Sequence, residues 1–410
     1  MEQNELIPHL FRTEYRKITA VLCKLFGIDH IETAEDLASE TFLTASETWS
    51  LKGLPPNPSA WLYTTAKNKA KDHFKRDAIF RQKIAKRISQ SLSENTEIEI
   101  DLSEKNITDS QLQMLFAICH PTISAESQIG LALRILCGFG INEIADAFLT
   151  TKETINKRLL RAKAKLRQEK VRIEFPGKAE IDKRLETVVR TLYLLYNEGY
   201  YSSGNDITLR KELCIEAMRL TQLLIENAAT NKSFINAFFS LMCFHSSRFE
   251  ARTGSHGETI LYKDQNPELW SKELITQGQH FLNLSLKDGA MSKYHLEAGI
   301  AYEHTLKEDT KQKWENILQL YNRLLQIEYS PVTALNRTYA LAMADGKEKA
   351  IIEAEKLDLS NNHLYHTLLG ELYSGIDDSR AMTHLQNALL LAKSDADKIL
   401  IKNKLALLKT

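Results

Sequence analysis

Helix breakers are scarce in this chain: 16 glycines and 8 prolines are spread over 410 residues. A backbone so seldom interrupted, with apolar residues recurring at helical spacing and few windows of strict alternation, buries its apolar surface through helix packing. The expected fold class is all-α. The length corresponds to roughly two to four domains. With 43% hydrophobic and 26% charged residues, the chain has the apolar content for folded cores.

Positive charge is placed rather than spread. The chain has 53 basic and 53 acidic residues, so any nucleic-acid contact has to come from local patches. Composition divides the chain into a first domain at 1–77, a linker at 78–110, a second domain at 111–175, a helical extension at 180–290 and helix pairs at 291–410. The linker starts basic (Arg81, Lys83, Lys86, Arg87) and ends acidic (Glu94, Glu97, Glu99, Asp101, Glu104), a pattern expected of a mobile tether. In the last block Leu335 and Leu369, Tyr339 and Tyr373, and Ala354 and Ala388 recur 34 residues apart, the tetratricopeptide (TPR) repeat length. The connectors ADGK (344–347) and GIDD (375–378) are the expected intra-repeat turns.

The densest positive charge lies in INEIADAFLTTKETINKRLLRAKAKLRQ (141–168), which reads as a helix-turn-helix. Ile141, Ile144, Ala145 and Phe148 line one face of its first helix. Thr150 with Glu153 three residues on forms a capping box, so a second helix starts near Thr151. In that helix Ile155, Leu159, Ala162 and Leu166 form the buried stripe, leaving Lys152, Glu153, Asn156, Lys157, Arg161 and Lys163 outward. Side chains near the start of such a helix reach base edges, while later Arg and Lys residues neutralise phosphates.

The first block adds AEDLASETFLTASETW (34–49), where Leu37, Phe42 and Ala45 oppose a polar face with Glu35, Asp36 and Glu40. After the loop SLKGLPPNPS, Asn57 caps and Pro58 opens a helix with Leu62, Ala66, Ala70 and Phe74 inward. Lys67, Asn68, Lys71 and Lys75 face outward. Trp61 and Tyr63 beside that basic face suit stacking on unpaired bases, with a core position the competing reading.

The order AEDLASETFLTASETW, PNPSAWLYTTAKNKAKDHFKR, an acidic linker and CHPTISAESQIGLALRILCGFGINEIADAFLTTKETINKRLLRAKAKLR resembles bacterial RNA polymerase sigma factors of the sigma-70 family, extracytoplasmic-function group. LYLLYNEGYYSSG (192–204), KDQNPELW (263–270) and SPVTALNRTYALA (330–342) resemble the subgroup with a long C-terminal extension of TPR-like helices.

The resemblance implies that the chain binds core polymerase, at the β′ clamp and β flap, and directs initiation at promoter DNA. Asp36, Leu37, Glu40 and Phe42 would be the polymerase contacts. The loop from Leu51 to Asn57 would hold a flipped base of the minus-ten element, stiffened by Pro55 and Pro56. DNA-binding candidates are Trp61, Lys67, Asn68, Lys71, Lys75 and Arg76 there, and Lys152, Glu153, Asn156, Lys157 and Arg161 for the minus-thirty-five element. The sequence departs from the pattern at Phe139-Gly140-Ile141, where a polar cap is common, and in its short supply of arginine on the recognition face.

The expectation is a protein without bond chemistry, cofactor or metal, whose extension regulates activity or binds a protein or peptide. Glu198, His245, His256 and Asp264 are the residues an enzyme reading would use, but none sits in a recognised catalytic spacing. The alternative is a helix-turn-helix regulator with a TPR-type sensor that does not replace a sigma subunit. The five scattered cysteines are expected as buried thiols. The start MEQNELIPHLFRTEYRK lacks a signal-peptide core, and the expected location is the cytoplasm.

Overall fold

The computed structural model describes residues 3–76, 100–201, 207–252, 254, 260, 262–288, 291–393 and 395–408, and all regular structure among them is helical. The chain divides into two compact units, Met1–Thr230 and Asn231–Thr410. That division falls inside the segment read from composition as one extension domain at 180–290.

In the first unit, α1 (Gln3–Phe26), α2 (Ile31–Lys52) and α3 (Pro58–Arg76) pack around Tyr15, Phe26, Phe42 and Phe74. Phe42 meets Phe11 edge-on at 5.0 Å, and Phe26 lies 5.0 Å from Phe74. Most of the segment read as a linker, 78–99, lies outside the described residues. Its last part is folded instead: Ile100 and Leu102 are buried, and α4 (Glu104–Ile118) starts at Ser103, which caps it through Asn106 N–H. The apolar spacing Ile100, Leu102, Ile107 outweighs the acidic composition there.

After α4 come α5 (Ala125–Leu131), a π-turn over Ala132–Leu136, α6 (Ile141–Ala147) and α7 (Lys152–Gln168). Gly138, at φ +78°, turns the chain beside α1, where a Cβ would lie 3.2 Å from the Arg12 carbonyl oxygen. The unit is completed by α8 (Ile181–Tyr201) and α9 (Ile207–Glu226), a hairpin that packs on α4, α5 and α6. Arg184 donates to the Phe116 carbonyl at 2.6 Å, and Thr191 to Gln128 Oε1 at 2.6 Å. Such contacts join the hairpin to the preceding domain.

The second unit is a succession of helices in which, from Lys272 onward, each packs on the next. The buried α10 (Ser233–Ser246) is followed by the short α11 (Phe249–Arg252) and packs on α12 (Lys272–Ser285) and α13 (Lys293–Glu303). Then come α14 (Lys311–Ile327), α15 (Pro331–Asp345), α16 (Lys347–Glu355), α17 (His363–Tyr373), α18 (Asp378–Leu391) and α19 (Asp395–Leu407). The two predicted connectors are turns: Gly346 at φ +100° reverses the chain between α15 and α16, and Gly375 at φ +79° between α17 and α18. Leu335, Leu369, Ala354, Ala388 and Tyr373 of the repeating pattern are buried, whereas Tyr339 is 37% exposed. All five cysteines are buried free thiols, and burial pushes Cys119 up to about 12. Among the described residues no helix is long and apolar enough to cross a membrane.

Candidate nucleic-acid interface

α2 turns its apolar residues inward with helical period, burying Ala34, Leu37, Ala38, Thr41, Phe42, Ala45 and Trp49. Leu37 and Phe42, predicted as partner contacts, therefore belong to the core, because their positions lie on the stripe that faces α1. What α2 presents outward is a line at positions 36, 40, 43 and 47: Asp36, Glu40, Leu43 and Glu47. Leu43 is 60% exposed. Sequence reasoning missed it, although its distance from Asp36 is two helical turns. Lys69 of α3 reaches Glu40 at 3.5 Å.

The expected loop starts later than read, since Leu51, 86% exposed, belongs to the last turn of α2; in the loop itself Leu54 is 40% accessible and Pro55 half-buried. Gly53, at φ +80°, ends α2 and donates to the Trp49 carbonyl at 3.0 Å. Asn57 caps α3 as expected, its Oδ1 accepting from Ala60 N–H at 3.0 Å. Along α3, Leu62, Ala66, Ala70 and Phe74 are buried, Asn68 is exposed, and Lys67 and Lys71 are half-buried. The side chains of Lys75 and Arg76 lie outside the described residues. Trp61 is half-buried, its ring edge-on to Trp49 at 5.3 Å. Tyr63 donates to Glu14. Both aromatic rings are thus anchored from within the domain.

The segment read as a helix-turn-helix holds two helices, α6 and α7, joined by a short turn, with the cap of the second one residue later than expected. Thr151, rather than Thr150, accepts from Thr154 N–H at 3.2 Å, because Leu149 takes the left-handed conformation (φ +48°) and lengthens the turn. Where a polar cap was wanting before α6, Glu143 reaches back to Gly140 N–H at 2.7 Å. Ile155, Leu159, Ala162 and Leu166 are buried; Lys152, Glu153, Asn156, Lys157 and Arg161 are all exposed. Arg158 lies over the Phe148 ring at 5.2 Å.

Lys163 is the correction on this helix: it is 8% exposed and pairs with Glu35 of α2. Glu35 also accepts from Arg134 Nε at 2.9 Å, and Arg167 pairs with Glu32. The positive charge of α7 is divided accordingly. Its first three turns leave cations to solvent, while its end is held on the acidic start of α2. A buried carboxylate needs such partners, since taking its charge out of water is costly without them.

A second ionic cluster joins α1 to α6 and α9. Arg12 pairs with Glu143 at 2.7 Å and with Glu212, and Arg16 pairs with Glu216. Glu216 also accepts from Arg219, whose other nitrogen donates to the Leu136 carbonyl at 2.6 Å.

The residues of the enzyme reading are dispersed. Glu198 is half-buried in the first unit, where desolvation raises its pKa, whereas His245 and Asp264 belong to the second. His256 lies outside the described residues.

Residues 10–78 match the family described as Sigma-70 region 2. The three-helix domain is therefore a sigma-70 region 2, which implies binding to core RNA polymerase and promoter DNA. Residues 184–286 match a family of unknown function, DUF6596. The chain is 30% identical over 384 residues, 92% of its length and 90% of the relative's, to the uncharacterized protein R00370 of Rhizobium meliloti (strain 1021). It belongs to the same family. No solved structure matches the chain.

Proposed function

We propose that this protein is a sigma factor of the extracytoplasmic-function type, a binding protein without bond chemistry of its own, captured with its two DNA-reading modules docked on each other. The observation that carries this reading is the pairing of Glu35 with Arg134 and Lys163, which ties α2 of the sigma-70 region 2 to the helix-turn-helix. Asp36, Glu40 and Leu43 would meet core polymerase. The exposed Lys152, Glu153, Asn156, Lys157 and Arg161 would read the minus-thirty-five element, with base contacts from the first turns and phosphate contacts from Arg161. Trp61, Lys67, Asn68, Lys71, Lys75, Arg76 and the loop at 51–57 would hold the melted minus-ten element.

The α8–α9 hairpin supplies Glu212 and Glu216 to the same closed arrangement, so the extension acts as an intramolecular restraint. Its later helix pairs read as TPR-like.

Run-off transcription with core polymerase and a promoter library tests the assignment. Initiation above the core-only background is expected from the full chain, with Arg161→Ala reducing it severalfold and lowering the salt dependence of promoter binding by about one phosphate contact. Duplex binding with no initiation from any promoter would transfer the protein to the regulators.

A further inference from the structure

The second unit contains a cavity that the sigma reading leaves without a role. Its volume of 370 Å³ falls within the roughly 300–1,000 Å³ of small-molecule sites. Tyr262, Trp314 and Tyr339 line it with His304. Trp314 meets His304 at 5.7 Å and Tyr339 at 5.6 Å, both edge-on, and Tyr262 meets His304 at 4.8 Å. These rings come from the segment before α12, from the end of α13, and from α14 and α15, so the site depends on the folded unit rather than on one helix pair.

The polar part of the wall is rich in donors and carries positive charge. Lys404 of α19 binds Glu371 of α17 at 2.6 Å, and Lys263 stands exposed at the same cavity. Two lysines thus face one carboxylate that is already paired. Behind Tyr262, the buried Lys313 donates to the tyrosine oxygen at 2.7 Å, which leaves that hydroxyl's own proton for another acceptor.

Two wall residues also carry buried polar atoms without a partner among the described residues, Trp314 Nε1 and His304 Nδ1. Each such atom is unfavourable in a purely structural core. A hydrogen-bonding ligand whose seating shifts these rings relieves that cost.

We infer that this cavity binds a small planar organic anion, an aromatic carboxylate, with its ring against Trp314 and Tyr339 and its carboxylate beside Lys263 and Lys404. Aromatic edges and faces receive a flat ring. The lysines and hydroxyls select the anion over a neutral or cationic analogue of the same shape. The inference goes beyond the sigma reading and does not depend on it.

Calorimetric titration of the full chain with salicylate and indole-3-acetate tests it, with benzamide and benzyltrimethylammonium as the neutral and cationic comparisons. At least one carboxylate is expected to saturate one site per chain, about tenfold or more tighter than either comparison probe. Tyr339→Ala, at a partly exposed position, and Lys263→Gln, at an exposed one, should each weaken that binding severalfold while the melting temperature is retained. No saturation by either carboxylate up to millimolar concentration overturns the inference. So does preference for the cation, or unchanged affinity in both variants. The titration contains neither polymerase nor DNA, so its outcome is separate from that of the transcription assay.

Discussion

Single residues decide both how the two modules meet and how the second unit answers to acid. Lys163 lies four positions after Leu159 and eight after Ile155, on the buried stripe of α7. Helical arithmetic alone places it inward; its charge suggested solvent, and the partner that reverses this, Glu35, is 128 residues away. No local rule links the two. His304 is a comparable case in the second unit. Burial, with Arg248 and Lys313 nearby, holds its pKa at about 3, and His245 is also held well below its ordinary value, by burial first. A histidine depressed in the folded state lets the unfolded chain bind more protons below the ordinary value of 6.5. Stability is therefore complete above that pH and declines as pH falls toward 3, by up to about 1.4 kcal/mol per pH unit for each such histidine. Thermal melts at about pH 7 and pH 5 should show the midpoint falling, and His304→Gln should flatten part of the fall. A midpoint independent of pH over that interval would remove His304 from the buried neutral state.

At the level of elements, the capping signals and apolar stripes carried most of the information. Asn57 and Pro58 marked the start of α3, and the glycine turns of the last helix pairs fell where the spacing put them. Two readings missed for physical reasons. The tract near Ser103 was acidic enough to suggest a tether, yet Ile100, Leu102 and Ile107 anchor it. On α2 the apolar Leu37 and Phe42 looked like contact residues, but an apolar residue on the core stripe is claimed by the core. The exposed Leu43, flanked by Asp36, Glu40 and Glu47, is the apolar residue that α2 offers a partner. Leu43→Asp should weaken binding to core polymerase about tenfold or more, since an apolar anchor within a charged rim carries a large share of such an interface. Stability should change by no more than about 0.5 kcal/mol, the usual range for a surface substitution. Equal affinity of variant and parent for core polymerase, measured by competition, would move the contact off this face.

At the scale of the molecule, the division at Thr230 separates two ways in which a long extension can act. The α8–α9 hairpin belongs to the compact unit that holds the sigma-70 region 2 and the α6–α7 pair, and its Glu212 and Glu216 pair with Arg12 and Arg16 of α1. If this hairpin restrains the DNA-reading modules, removing it should matter more than removing everything after it. A chain ending at 230 keeps both ion pairs and should initiate about as weakly as the full protein. A chain ending at 176 loses them and should initiate more strongly. Truncation at 176 also uncovers the face of α4 and α5 on which the hairpin packs, so a poorly folded fragment could mask release. Reversing charge in the intact chain avoids that difficulty. Glu212→Lys, at a partly exposed position, sets a like charge against Arg12 and leaves the buried Glu216 in place, and should raise run-off product severalfold. Gain of activity in the charge reversal and in the shorter fragment assigns the restraint to the hairpin. Loss of activity in the charge reversal, with its folding intact, would mean that the hairpin supports the active arrangement, and that α1 must stay clamped to α9 for polymerase to use the factor.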